Sequence, residues 1–122
     1  MPTIYILDYD NDIVFALCKW FKMHGFEVKG FSTLEGLLSQ LTLSKPDCIL
    51  LDCLYGRIAL TANICSTIQQ VFHFDAAIIL TSTNKLSATE MHACGATHFV
   101  IKPFDLLQLL EIIQDVFHHS VI

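Results

Sequence analysis

Residues 46–52, Pro46-Asp47-Cys48-Ile49-Leu50-Leu51-Asp52, contain four consecutive apolar residues that begin after one acid and stop at another. A short continuous apolar run of this kind is typical of a strand with both faces buried, as in parallel sheets covered by helices. Residues 76–80, Ala76-Ala77-Ile78-Ile79-Leu80, have the same character and stop at Thr81. We therefore expect two buried strands, each followed directly by a polar side chain.

Short apolar runs alternate with longer amphipathic segments along the whole chain. The predicted strands are Ile4–Leu7, Phe26–Phe31, Cys48–Leu51, Ala76–Leu80 and Thr97–Ile101. The predicted helices cover residues 12–24, 34–41, 57–72, 88–94 and a long segment after Pro103. Such alternation predicts βα units, whose right-handed crossovers place helices on both faces of one sheet. We expect an α/β fold, a doubly wound five-stranded parallel sheet, in a single domain over residues 1–122.

Helix ends and faces are also predicted from local patterns. Ser32–Glu35 and Ser87–Glu90 each place Ser three residues before Glu, which is the pattern of a capping box. Gly25 and Gly95 follow predicted helices and are natural C-caps. The last helix is expected to carry apolar residues at helical spacing: Phe104, Leu107, Leu110, Ile113 or its neighbour, Val116 and Phe117.

Composition and charge exclude several classes of partner. The net charge is −5, and no segment clusters Lys or Arg. We therefore expect neither a nucleic acid, which needs a basic surface, nor an anionic membrane surface as a partner. The N-terminus has no basic leader, and no apolar run is long enough for a transmembrane helix, so we expect a cytoplasmic protein.

The five cysteines (Cys18, Cys48, Cys53, Cys65 and Cys94) are scattered, and no two form a CxxC pair. In a chain expected to stay in the cytoplasm, such residues are interpreted as reduced thiols that serve as small core residues. A redox switch at Cys53, beside Asp52, is the alternative.

Four polar residues each follow a predicted strand. Asp8 comes after the first, Asp52 after the third, Thr81 after the fourth and Lys102 after the fifth. Ligand sites of doubly wound sheets lie beyond the carboxyl ends of the strands, so the four side chains should converge. Clustered carboxylates favour a hard cation such as Mg²⁺, and a hydroxyl and an ammonium opposite them could hold phosphoryl oxygens.

At these positions the sequence resembles the receiver domains of two-component response regulators, over nearly its whole length. The matching segments are 6–10 (Ile-Leu-Asp-Tyr-Asp), 46–52, 79–82 (Ile-Leu-Thr-Ser) and 95–104 (Gly-Ala-Thr-His-Phe-Val-Ile-Lys-Pro-Phe). The last segment is the most specific, because Gly-Ala, an aromatic residue and Lys-Pro-Phe occur at the family's spacing. The resemblance implies the flavodoxin-like fold of receivers and a signalling domain rather than an enzyme.

The resemblance also implies roles for single residues. Asp52 matches the phosphoacceptor, which receives a phosphoryl group from a histidine kinase or a phosphotransfer protein. Thr81 matches the switch hydroxyl and Lys102 the lysine that pairs with the phosphoryl group, and the peptide before Pro103 is cis in the family. Phe99 matches an aromatic that moves inward on activation. Phosphorylation would then change a partner-binding face formed by the fourth helix, the fifth strand and the fifth helix.

The metal site that the resemblance implies is altered here. Asp8 and Asp52 match acids that hold Mg²⁺, and Leu54 matches the residue whose backbone carbonyl also ligates it. The second acid after the first strand is replaced by Tyr9, whose neutral phenol is a poor Mg²⁺ ligand, so metal affinity should fall. Asp10 could compensate if the loop bends, although alternation along an extended chain points it elsewhere.

The loop after Asp52 departs from the family pattern as well. It contains Cys53-Leu54-Tyr55-Gly56-Arg57, with Gly56 where the family usually has proline, and Tyr55 could overhang the pocket. The alternative function is therefore a phosphorylation-independent pseudo-receiver that serves as a protein-interaction module. A flavin- or nucleotide-binding enzyme is disfavoured, because the acidic segment 8–12 would repel phosphate. Retention of all four polar residues at the strand ends favours the phosphorylated receiver.

Overall fold

The structure is a computed structural model that describes residues 1–53, 57–84, 86–103 and 105–120, with backbone only at residues 58, 119 and 120. Its strands are β1 (Thr3–Leu7), β2 (Glu27–Phe31), β3 (Cys48–Asp52), β4 (Ala77–Ser82) and β5 (His98–Ile101). Its helices are α1 (Asn11–Met23), α2 (Leu34–Leu43), α3 (Ile58–Gln70), α4 (Ala88–Ala93) and α5 (Leu106–Ser120). The predicted alternation of strands and helices is confirmed. Within the described ranges, no helix has the length and apolar character needed to cross a membrane.

The five strands form one parallel sheet in the order β2-β1-β3-β4-β5. The chain moves outward from β1 to β2, and then returns past β1 to β3, so the order reverses between β1 and β3. Doubly wound sheets of this order bind their ligands at that switch point, outside the carboxyl ends of the strands. The predicted α/β fold is confirmed, and its topology puts the ends of β1 and β3 side by side.

Each face of the sheet carries its own apolar core. Successive residues of a strand point to opposite faces, and β1 divides accordingly: Ile4 and Ile6 pack in one cluster, and Tyr5 and Leu7 in the other. The first cluster contains buried residues of α1 and α5, and the second contains buried residues of α2 and α3. A strand buried on both faces must be apolar throughout, which explains the continuous runs in β3 and β4.

Capping at the start of α2 differs from the prediction. The N-cap is Thr33, whose extended backbone precedes the helix and whose hydroxyl accepts the Gly36 N–H at 3.1 Å. The capping box expected at Ser32–Glu35 is therefore wrong, because Thr33 rather than Ser32 is the N-cap and Gly36 takes the third helical position. The box at Ser87–Glu90 is confirmed, with reciprocal bonds of 3.0 and 3.1 Å at the start of α4.

The buried face of α5 is only partly the predicted one. Leu110 and Ile113 are buried as expected, and Leu109 joins them. Leu107 was expected at the same helical spacing but is 64% exposed. Each residue turns a helix by about 100°, so Leu107 points about 160° away from Leu109 and about 120° away from Ile113. The predicted packing of Phe104 lies outside the described residues.

Candidate functional site

The parallel sheet brings the four predicted polar residues to one edge. Asp8 follows β1, Asp52 ends β3, Thr81 lies near the end of β4, and Lys102 follows β5. The register pairs Asp52 directly with Thr81. Convergence of these side chains follows from this topology, since all five strands end at the same edge.

Lys102 lies between the two carboxylates. Its Nζ donates to Asp8 Oδ2 at 2.6 Å and lies 3.0 Å from Asp52 Oδ1. The hydroxyl of Thr81 donates to the same Asp52 Oδ1 at 3.4 Å. The side chains of Lys102, Asp8 and Asp52 are 13%, 4% and 15% exposed. The site is therefore a compact group of two acids, an ammonium and a hydroxyl, with the Asp52 carboxylate still reachable from solvent.

Backbone bonds hold these residues in position. The Asp8 N–H donates to Phe31 O at 3.1 Å, which ties the end of β1 to the end of β2. The Lys102 N–H donates to Ser82 O at 2.8 Å and continues the pairing of β5 with β4. The peptide between Lys102 and Pro103 is cis, as the resemblance implies. The strand ends, rather than a mobile loop, thus support the site.

Asp10 serves a different local purpose. Its carboxylate accepts the Asp12 N–H at 2.9 Å and caps α1, and its own N–H donates to Asp8 Oδ1 at 2.9 Å. The side chain is exposed. Asp10 is therefore joined to the site through its backbone N–H, and its carboxylate caps α1. The expected role of Asp10 as a substitute metal ligand stays a prediction.

Burial and charge shift the protonation of two site residues. Burial raises the pKa of Asp52, and the nearby Asp8 charge adds to this, while the bond from Lys102 and that from Thr81 oppose it. Burial alone would lower the pKa of Lys102, but its hydrogen bonds to Asp8 and Asp52 and their charges outweigh this effect and raise it. Lys102 is thus held in its charged form between the acids.

The remaining predicted site residues are placed as follows. Phe99 in β5 and Tyr9 after β1 are both half-buried and pack against the core cluster on the α2 and α3 side of the sheet. Leu54, together with Tyr55 and Gly56, lies outside the described residues, so the expected carbonyl ligand is not described. Across the described ranges, no group of three or more His, Cys, Asp or Glu side chains could hold a metal ion.

All five cysteines are free, as predicted. Cys18 is half-buried and the other four are buried. Burial raises the pKa of Cys48 to about 12 and that of Cys65 to about 12, which keeps both as thiols. The Sγ of Cys53 lies 3.5 Å from the Thr61 hydroxyl. The cysteines therefore serve as small core residues, as predicted from the sequence.

A cavity of about 270 Å³, which the sequence analysis did not predict, lies where β5 meets the start of α5. Gln108 and Ile112 line it from α5, and Pro103 lines it from the connection. The four-residue spacing of Gln108 and Ile112 could have placed them on one helix face. Their position against β5 could not be predicted, because no local pattern reports how a helix end meets a strand edge.

Comparison with known proteins agrees with this fold. The family model of the response regulator receiver domain matches residues 4–114. The chain belongs to the response regulator receiver domain family. Receiver domains are in general signalling domains rather than classical enzymes. None of the curated proteins matches the sequence significantly.

Solved structures of response regulators share the fold. A two-component response regulator from Clostridium difficile has a TM-score of 0.87 at 18% identity, with 98% of each chain covered. A response regulator from Thermotoga maritima has a TM-score of 0.84 at 22% identity, covering 95% of this chain and 97% of that one. A further response regulator protein from Thermotoga maritima, solved in complex with Mg²⁺ and BeF, has a TM-score of 0.77 at 22% identity, covering 95% and 99%. The flavodoxin-like receiver fold is thereby confirmed.

Proposed function

We propose that this receiver domain accepts a phosphoryl group on Asp52 from a histidine kinase or a phosphotransfer protein. Phosphorylation then changes a surface formed by α4, β5 and α5, which binds a downstream partner protein. The proposed domain spans residues 1–122, acts in the cytoplasm, and uses neither nucleic acid nor membrane as its partner. It signals through binding and is not an enzyme in its own right.

The placement of Lys102 and Thr81 on one oxygen of Asp52 carries this proposal. Both contact Oδ1, at 3.0 and 3.4 Å, from two different strand ends. A phosphoryl group attached to this carboxylate would have an ammonium and a hydroxyl within reach of its oxygens. Charge-assisted bonds of this kind are the strong ones for phosphoryl oxygens.

The transfer step balances with the groups present. A carboxylate oxygen of Asp52 forms a bond to phosphorus, and the bond from phosphorus to the donor's histidine nitrogen breaks, with its electron pair leaving on that nitrogen. The Lys102 ammonium offsets negative charge on the acids and on the incoming phosphoryl group. Burial raises the pKa of Asp52 and so disfavours the carboxylate anion that must attack phosphorus. The hydrogen bond and the charge of Lys102 act in the opposite direction and favour that anion.

The donor set fits Mg²⁺, although sparsely. Mg²⁺ in phosphoryl-transfer sites is bound by one or two carboxylates, together with water and phosphate oxygens. Asp8 and Asp52 supply two carboxylates that both contact the Lys102 ammonium, and carboxylate oxygens are hard ligands. When bound, Mg²⁺ would offset the charge of the phosphoryl oxygens. Tyr9 in place of a third acid predicts an affinity below that of a site with three carboxylates.

The replacement by Tyr9 also supports the second candidate function. A pseudo-receiver would keep the sheet and the α4, β5 and α5 surface, but would bind its partner without phosphorylation. The ion pairs of Lys102 with Asp8 and Asp52 would then only hold the strand ends together. The two functions differ in one measurable property, which is chemical modification of Asp52.

Intact-protein mass after incubation with acetyl phosphate and Mg²⁺ tests the proposal. The Asp52→Asn variant removes the acceptor, and Asp75→Asn is the matched control, an exposed acid before β4 at the opposite edge of the sheet. We expect a phosphoryl adduct on the native chain and on Asp75→Asn, none on Asp52→Asn, and its loss when Mg²⁺ is chelated. An equal absence of adduct from all three proteins, with no effect of Mg²⁺ on the fold in titration, would favour the pseudo-receiver.

A further inference from the structure

We propose that the cavity between β5 and α5 receives an apolar side chain from a basic segment of the downstream partner. This inference rests on the proposed function and names the chemistry of the partner that the α4, β5 and α5 surface selects. The partner segment carries an anchor residue of about the size of Leu, flanked by Arg or Lys.

The cavity suits a side chain better than a small molecule. Its volume is about 270 Å³, below the roughly 300–1,000 Å³ of typical small-molecule sites. Two polar residues, Asp105 and Gln108, line it together with five apolar ones: Phe99, Val100, Ile101, Pro103 and Ile112. Ile101 is 48% exposed on β5, the edge strand of the sheet. An apolar hollow beside an exposed apolar residue is the kind of pocket that an interface anchor fills.

The charge around the cavity selects a basic partner. From residue 85 to the end of the chain there are two basic residues, Lys85 and Lys102, against four acids: Glu90, Asp105, Glu111 and Asp115. Lys102 is held by the carboxylates of the phosphoacceptor site, 2.6 and 3.0 Å away. Asp105 lines the cavity, and with about 100° per residue Glu111 lies about 60° from Gln108 around α5. The cavity is thus bordered by negative charge, and complementary charge in the partner steers and selects binding.

The same charge disfavours other occupants. A symmetric dimer through this face would bring the acids of one copy against those of the other, and juxtaposed like charges are costly. An anionic lipid surface and a nucleic acid are repelled for the same reason. A basic protein segment is therefore the occupant to which the surface is complementary.

The cavity is joined to the phosphoacceptor site through the chain itself. Lys102 lies between Ile101 and Pro103, and both of these residues line the cavity. Phe99 lines it too, two residues before Ile101 on the same side of β5. A shift of the Lys102 ammonium from the acids toward a phosphoryl group would move residues of the cavity wall. Phosphorylation is therefore expected to change the affinity for the basic segment.

The test uses three short fluorescent peptides and the full chain. The first has one central Leu between Arg residues, the second has Ala in place of the Leu, and the third has Glu in place of the Arg residues. We expect the first peptide to bind the chain at least about tenfold more tightly than the second, because burying a Leu side chain is worth roughly 1.5–3 kcal/mol. The third should bind more weakly still, and added salt should reduce the difference.

Paired variants locate the binding. Gln108→Trp fills the cavity, whereas Gln114→Trp adds the same side chain on an exposed position about 120° around α5. Glu111→Gln removes one charge beside the cavity, and Glu35→Gln removes one from the exposed face of α2. We expect a loss of at least tenfold for Gln108→Trp, about two- to fivefold for Glu111→Gln, and no change for the two controls. Circular dichroism of each variant establishes that it is folded.

The outcomes separate this inference from the proposed function. Equal binding of the three peptides, or equal effects of Gln108→Trp and Gln114→Trp, would overturn the cavity assignment even if Asp52 is phosphorylated. Binding that depends on Leu and Arg but does not respond to phosphodonor would support the cavity, and would contradict its coupling to Asp52. Preference for the acidic peptide would overturn the charge argument.

Discussion

Replacing Lys102 by Met removes the ammonium that lies between Asp8 and Asp52 and keeps a side chain of similar length. The two carboxylates, 4% and 15% exposed, would then face each other without a cation. We expect this variant to lose a large part of its stability at pH 7, because an acid left buried and unpaired is among the costliest results of a single substitution.

The size of the effect follows from the two distances. At an effective dielectric constant of about 20, charges 2.6 and 3.0 Å apart attract by roughly 6 and 5.5 kcal/mol. Most of this attraction is offset, because the Met variant avoids the desolvation cost of burying an ammonium. Removing one partner of a buried ion pair typically costs about 3–5 kcal/mol. All three side chains retain some solvent contact, so we take about 3 kcal/mol. For a chain of 122 residues, that corresponds to a fall of about 12 °C in Tm.

Urea unfolding at pH 7 measures the loss, with Trp20 as the reporter. Trp20 is the single tryptophan of the chain, and it packs against the core with its ring 4.4 Å from that of His24. Lys19→Met is the matched control, because Lys19 is exposed on α1. The control should change the free energy of unfolding by less than about 0.5 kcal/mol.

The pH dependence gives a second check. The raised pKa of Lys102 means that its stabilising contribution is complete below its ordinary value of 10.5 and is lost as the pH rises through the higher folded value. The deficit of Lys102→Met should also shrink at acid pH, where Asp52, whose pKa is raised by burial, takes up a proton. A deficit at pH 7 no larger than that of Lys19→Met would refute the argument that the ammonium holds the two acids.

Three further predictions concern the Asp52 carboxyl group, the cap of α2 and the cysteines. Because burial raises the pKa of Asp52, the folded chain binds a proton at this carboxyl group more tightly than the unfolded chain does. As the pH rises above the ordinary pKa of 3.8, the ionised carboxylate therefore destabilises the fold increasingly. The free energy of unfolding of Asp52→Asn, relative to the native chain, should therefore rise between pH 4 and pH 7. Thr33→Ala should cost about 1 kcal/mol in urea unfolding by removing the cap of α2, and Ser32→Ala should cost much less. In the folded chain a thiol reagent such as Ellman's reagent should modify Cys18, which is half-buried, far faster than Cys48, whose pKa burial raises to about 12.

Each of these has an opposite result that would contradict it. A relative stability of Asp52→Asn that falls from pH 4 to pH 7 would mean that the ion pair with Lys102 outweighs burial. Equal losses for Thr33→Ala and Ser32→Ala would restore the capping box predicted from the sequence. Equal labelling rates for Cys18 and Cys48 would show that the core opens on the timescale of the reaction.

The elements of this fold could be predicted because their signals are local. A run such as Cys48–Leu51 is apolar at every position because helices cover both faces of the sheet, and this shows in consecutive residues. The convergence of Asp8 and Lys102 could be predicted for a related reason, since parallel strands with right-handed crossovers end at a common edge. The capping box of α2 was predicted wrongly because two local signals compete there. Both Ser32 and Thr33 are good N-cap residues, and the extended backbone of Thr33 makes it the N-cap.

Consecutive residues were enough to predict the alternation of strands and helices, the apolar strands and the set of polar residues at the strand ends. Tertiary structure alone decided that the ammonium of Lys102 bridges acids 50 and 94 residues away in the chain, that Leu109 rather than Leu107 faces the core, and that a cavity opens between β5 and α5. The physical reason is that periodicity reports whether a residue is buried within its own element. Which surfaces meet, and at what distance, depends on how elements far apart in the chain pack together.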